Sequence, residues 1–142
     1  MPPADDSPKH LSIIVFAGAY DRVHYALTVA AAALAVNTPA TLFFTMGALH
    51  ALTENGWRGL LPGEDGAAPV DSDARLVARG LAGFEEMLSS CVALGAAVMA
   101  CEMGMRAIGL DAKQLRKDVP ITPGGLVTFL ADASRDGAML FV

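Results

Sequence analysis

A single α/β domain with a mostly parallel sheet is the fold class this chain predicts, and three observations lead there. Short β-branched apolar runs recur along it, and the stretches between them have helical spacing. Hydrophobic residues make up 54% of the sequence but aromatics only 6%, so Ala, Leu, Val, Ile and Met must fill the core, as in helices lying close on a sheet. At 142 residues the chain suffices for one core, whereas two would each fall near the size where burial barely offsets chain entropy.

The run Leu11 to Ala17 (LSIIVFA) is apolar on both faces, which predicts a central buried strand ended by Gly18. Asp21 is placed to cap the next helix, and Arg22 to Val36 contains no Gly or Pro until Asn37, Thr38 and Pro39 stop it. Ala40 to Thr45 (ATLFFT) predicts a second strand, and a short helix, Leu49 to Glu54, follows the turn at Gly47. Asn55 to Asp73 carries Gly and Pro throughout, with acidic residues in its second half, and predicts a long, poorly anchored loop at 55–73.

Leu76 to Leu94 returns to helical spacing, with Leu81, Phe84, Leu88, Cys91 and Val92 on one stripe. Ala96 to Cys101 (AAVMAC) predicts the next strand, followed at once by a helical stretch to Ile108 and a turn at Gly109. Thr122-Pro123-Gly124-Gly125 then opens a helix to about Ser134, and Gly137 leads into a last strand, Ala138 to Val142. Such alternation implies right-handed crossovers and a three-layer domain over residues 11–142. It would have about four to five strands, helices on both faces, and an extended or disordered tail at residues 1–10.

Charge narrows the partners. Net charge is −5, with 15 acidic against 10 basic residues, which leaves no electrostatic footprint for nucleic acid or anionic lipid. The longest helix-like apolar stretch, Ala26 to Val36, is far shorter than the roughly 20 residues a membrane span needs. The start, MPPADDSPKH, lacks the basic and apolar regions of a signal peptide, so the expected location is the cytoplasm. Two cysteines then fit reduced thiols better than a disulfide framework. Charged residues are only 18% of the chain, little polar surface for a free monomer, and this predicts a homo-oligomer.

In open α/β sheets, chemistry collects where strand carboxyl ends meet helix starts. Cys101 falls at such a junction, where the positive end of the following helix favours thiolate over thiol. The competing reading is packing, because free cysteine is among the most buried residue types. Cys91, on an apolar helical stripe, reads as core. His24 and His50 both fall near the carboxyl edge and are candidate proton acceptors for Cys101, against the alternative that a carbonyl or water satisfies them. His10 lies in the tail and is expected to be solvated. Gly124 and Gly125, at a helix start, are candidates for an anion- or ligand-binding pocket of backbone amides. No metal site is expected, because the histidines have no partner pattern for zinc. No cofactor is expected either, since neither a GxGxxG loop nor a P-loop lysine motif occurs.

The segments LFFTMGAL (Leu42 to Leu49), ACEMGM (Ala100 to Met105) with Gly109, GLVTFL (Gly125 to Leu130) and the terminal LFV (Leu140 to Val142) resemble DsrE/DsrF-like proteins, in the same order. The resemblance runs from about Leu11 to the end, and its most specific part is the strand-end cysteine followed eight residues later by glycine. It implies a flavodoxin-like three-layer fold and a common tendency to oligomerise. It also implies persulfide relay, in which a cysteine accepts a sulfane sulfur from a donor protein and passes it to an acceptor protein. Only Cys101 inherits the sulfur-carrier role in that resemblance. The expectation is therefore a sulfurtransferase or sulfur carrier. The alternative is a noncatalytic ligand-binding or assembly subunit of the same fold.

Overall fold

The computed structural model describes residues 7–133 and 135–142. Five strands form one sheet: β1 (Leu11–Val15), β2 (Ala40–Phe44), β3 (Ala97–Cys101), β4 (Ile121–Gly124) and β5 (Ala138–Phe141). Their order is β4-β3-β2-β1-β5 and every pairing is parallel.

That order fixes the layers. The chain steps the same way from β1 to β4, so right-handed crossovers put α1 (Tyr20–Ala35), α2 (Pro69–Ala78), α3 (Phe84–Ala93) and α4 (Glu102–Ile108) on one face. The last crossover reverses across the sheet and puts α5 (Leu126–Asp132) on the other. Side-chain burial follows the strand alternation. Ile13, Val15, Leu42, Phe44, Val98 and Ala100 join the larger core with α1 and α3, whereas Phe43, Met99, Cys101 and Phe129 form a second, smaller cluster.

α1 buries Val23, Ala26, Leu27 and Ala30, a spacing of three and four that makes one stripe, and its alanines let the helix lie close to the sheet. It begins a residue before Asp21, with Ala19 at the N-cap. The Asp21 carboxylate accepts instead from the backbone amides of Arg22 at 2.9 Å and Glu64 at 3.1 Å, and so anchors a distant loop.

Four local expectations are corrected. Residues 55–73 are not one loop: Gly56–Gly59 is a 3-10 helix, and α2 already begins at Pro69, where a proline ring presets φ for a first helical turn. The anchor is Trp57, 4% exposed, stacked on Phe84 at 5.5 Å between ring centroids and tilted against Tyr20 at 5.8 Å. Trp57, with Leu60 buried beside it in the same core, supplies the apolar contact that the Gly and Pro content conceals.

The helix expected over Leu76 to Leu94 is two. Gly80 takes φ +77°, a left-handed conformation that ends α2, and Asp73 Oδ1 accepts the Phe84 amide at 2.6 Å, fixing where α3 starts. Leu81 consequently leaves the stripe and is 56% exposed, while Phe84, Leu88 and Cys91 remain buried. The short helix expected over Leu49 to Glu54 is a 3-10 helix at Met46–Leu52. Finally, Ile121–Gly124 is strand β4 rather than a helix start; Pro123 is tolerated because β4 is an edge strand, paired only with β3.

Residues 1–6 of the expected tail lie outside the described residues. Its end is tied down: the Lys9 amide donates to Asp136 O at 3.1 Å, and His10 O accepts from Ala138 N at 2.9 Å. Among the described residues, no helix is long and apolar enough to cross a membrane.

Candidate functional site

β3 ends at Cys101 and α4 begins at the next residue, so Cys101 is both the last strand residue and the helix N-cap. Its backbone is extended, and Sγ accepts the Gly104 amide N–H at 3.3 Å. The cysteine takes the place that Ser, Thr or Asp usually fills at a helix start.

The short reach from Cys101 depends on Gly104 being glycine. A β-carbon there would lie 2.6 Å from Thr45 Oγ1 and 2.8 Å from the Met46 amide nitrogen, so α4 sits directly against the carboxyl end of β2. Met46 itself adopts φ +49°, a strained position for a non-glycine residue at that strand end. The neighbouring turns approach as closely, since a β-carbon on Gly18 would lie 3.0 Å from the Gly47 carbonyl carbon. The carboxyl edge around Cys101 is thus backbone packed on backbone.

Cys101 is 2% exposed and packs with Phe43, Met99 and Phe129. The Phe43 and Phe129 rings stack at 4.6 Å, and Phe129, from α5, helps close this cluster. Cys91 is buried completely, its Sγ donating to Leu27 O at 3.2 Å across the α1–α3 contact. Burial pushes the Cys91 thiol up to about 11.

The candidate proton acceptors lie elsewhere. His24 Nε2–H donates to Ala82 O at 2.9 Å, and the ring stacks on Tyr20 at 5.7 Å in a cleft of about 410 Å3 shared with Tyr25, Arg75 and Arg79. α1 covers the face of the sheet opposite α5, so His24 and the Cys101 cluster belong to different layers. His50 is exposed on the 3-10 helix after β2. Among the described residues, no hydrogen bond joins either imidazole to Cys101.

Gly124 and Gly125 are divided between two elements. Gly124 is the last residue of β4 and pairs in register with Cys101, while Gly125 is the N-cap of α5. His10, expected in solvent, is half-buried with Nε2 3.0 Å from Thr41 Oγ1. It lines a second-face cleft with Ser12, Thr41, Thr128 and Asp132, none of which the sequence singled out as functional. The available signal was parity along the strand, since His10 and Ser12 must share a face.

The fold and this edge define a five-stranded parallel α/β domain with a cysteine at the carboxyl end of an inner strand. Solved structures share that fold, among them the following two. A protein of unknown function, MTH1491 from Methanobacterium thermoautotrophicum, is similar with a TM-score of 0.60 at 12% identity, over 94% of this chain and 98% of that one. The ychN protein from E. coli is similar with a TM-score of 0.53 at 17% identity, over 93% of this chain and 97% of that one. No protein-family model matches the chain, and no curated protein matches it in sequence.

Proposed function

We propose that the chain is a DsrE/DsrF-like sulfur carrier that relays sulfane sulfur as a persulfide on Cys101. The observation that carries this reading is the hydrogen bond from the Gly104 amide to Sγ at the β3–α4 junction, where open α/β sheets place their reactive groups. The motif ACEMGM spans that junction.

In the transfer step, Cys101 Sγ as thiolate attacks the outer sulfur of a donor cysteine persulfide. A bond forms between the two sulfurs, the donor's S–S bond breaks, and the donor leaves as thiolate. The reverse exchange with an acceptor thiolate unloads the carrier. Because Cys101 is 2% exposed, access requires displacement of the side chains around it, and Phe129, on the seven-residue α5, is the one of them that no sheet strand carries.

A homo-oligomer belongs to the same proposal. On the second face α5 reaches Phe43 and Met99, but the β1–β5 side carries Phe16 at 45% and Phe141 at 68% exposure, ring centroids 5.5 Å apart. Exposed aromatics in contact with one another fit a subunit interface. The cytoplasm, with reduced thiols and protein partners for donor and acceptor, suits a carrier of this kind.

The burial of Cys101 is also the observation that favours the second reading, a noncatalytic ligand-binding or assembly subunit. Cyanolysis separates the two. Chain incubated with a persulfide donor and then freed of it should release thiocyanate when cyanide takes the outer sulfur, and the Cys101→Ser chain should release none. Absence of thiocyanate from the unaltered chain would leave the second reading.

A further inference from the structure

The second-face cleft, about 270 Å3, lies toward the amino ends of the strands, at the opposite end of β3 from Cys101. Its floor is read from the register. Ser12 pairs with Thr41 and Thr41 with Ala97, so two hydroxyl side chains and a methyl form one lateral row. Two residues further along the same strands, Ile14, Phe43 and Met99 are apolar and belong to the cluster closed by Phe129. The sheet face therefore changes from hydrocarbon to hydroxyl beneath a single short helix.

The remaining walls continue the pattern. Thr128 and Asp132, four apart on α5, face the cleft from above, Thr122 enters from β4, and His10 closes one side through its 3.0 Å contact with Thr41 Oγ1. Ser12 is 2% exposed, yet among the described residues nothing hydrogen-bonds its hydroxyl. That hydroxyl opens onto the cleft and is free to exchange hydrogen bonds with an occupant. Among the described residues the Asp132 carboxylate likewise has no hydrogen bond or ion pair, and neither Lys nor Arg lines the cleft.

We propose that this cleft binds a small hydroxylated amine. Its ammonium group sits against the Asp132 carboxylate, its hydroxyls exchange hydrogen bonds with Ser12 and Thr41, and its carbon skeleton rests on Met99 and Phe129. The volume lies just under the range of about 300–1,000 Å3 that holds drug-sized ligands, which sets the occupant at a few heavy atoms. The unopposed carboxylate excludes small anions. The proposal does not rest on sulfur transfer at Cys101, although Met99 and Phe129 pack against both sites.

Three probes of nearly one size and different charge test it: serinol, glycerol and glycerate, titrated into the isotope-labelled full chain while backbone amide resonances are followed. Serinol should shift the Ser12, Thr41 and Thr128 amides saturably and several-fold more tightly than glycerol, with glycerate weakest. Asp132→Asn should erase the advantage of serinol over glycerol. Asp132 is exposed at the last turn of α5, so this variant keeps its fold. Thr41→Val should weaken serinol and glycerol alike. The Cys101→Ser chain should bind all three as the unaltered chain does. Absence of saturable shifts at those amides with every probe would overturn the proposal. So would tighter binding of glycerate, or an Asp132→Asn chain that still prefers serinol.

Discussion

Cys101 and Gly104 are joined across the β3–α4 junction by one hydrogen bond, the Gly104 amide donating to Sγ at 3.3 Å. Gly104 is also the residue with no room for a side chain, because Thr45 Oγ1 and the Met46 amide occupy that space. Gly104→Ala forces α4 away from β2, and overpacking of this kind costs about 1–3 kcal/mol. That exceeds the roughly 1 kcal/mol of helix propensity that alanine returns. Denaturant unfolding should therefore show a net loss for Gly104→Ala, and slower sulfur loading of the variant would tie the same contact to function.

Cys91 gives a pH signature of its own. The folded thiol titrates near 11, pushed up by burial, against an ordinary value of 9.0 in the unfolded chain. Between those values the unfolded state holds fewer protons than the folded one. Stability should thus be full below about pH 9 and fall as pH rises through 11, by on the order of 2 kcal/mol from this group. Cys91→Ala should cost about 1 kcal/mol or somewhat more at neutral pH as a small core truncation, and should flatten that alkaline decline. Unfolding curves of both chains across the window check the sign.

Asp73 holds three helices together, its Oδ1 accepting from Tyr20 Oη at 2.5 Å and from the Phe84 amide at 2.6 Å. The first bond joins α2 to α1 and the second starts α3; burial, with Asp73 alongside, raises the Tyr20 phenol well above its ordinary range. Asp73→Ala leaves both donors without their acceptor and should cost about 2 kcal/mol or more, whereas Tyr20→Phe removes one bond and should cost roughly half as much. Thermal unfolding of the two variants should rank them in that order.

The apolar β1–β5 side predicts association. Sedimentation at micromolar concentration should give more than one chain per particle, and Phe141→Asp, which puts a charge beside Phe16, should shift the distribution toward single chains with unchanged circular dichroism. A concentration-independent monomer for the unaltered chain would remove the prediction.

How much of this was legible in the sequence follows from which signals are local. β1, β2, β3 and β5 fall within two residues of the apolar runs that predicted them. The first three are inner strands, and strands buried on both faces advertise themselves as unbroken hydrophobic runs, whereas β5 is an apolar edge strand with Met139, Leu140 and Phe141 exposed. β4 was missed because ITPG carries a proline and a glycine, and only its place at the sheet edge makes that acceptable in a strand. The split of α2 from α3 rests on a left-handed Gly80 and on a side-chain cap from Asp73, a partnership that spacing does not reveal. Likewise the position of Cys101 at a strand end was readable, but its burial beneath α5 was not. Burial there depends on the last crossover reversing across the sheet, a property of strand order that no single segment carries.

Sulfur loading followed by intact mass tests the central claim most directly. The unaltered, Cys91→Ala and Cys101→Ser chains are each incubated with a persulfide donor, freed of it, and weighed alongside unfolded controls that confirm every remaining thiol can react. The account predicts the mass of one added sulfur on the unaltered and Cys91→Ala chains and none on Cys101→Ser. Sulfur gained by the folded Cys101→Ser chain, or lost with Cys91, would contradict the assignment of Cys101 as carrier and leave the resemblance as one of fold.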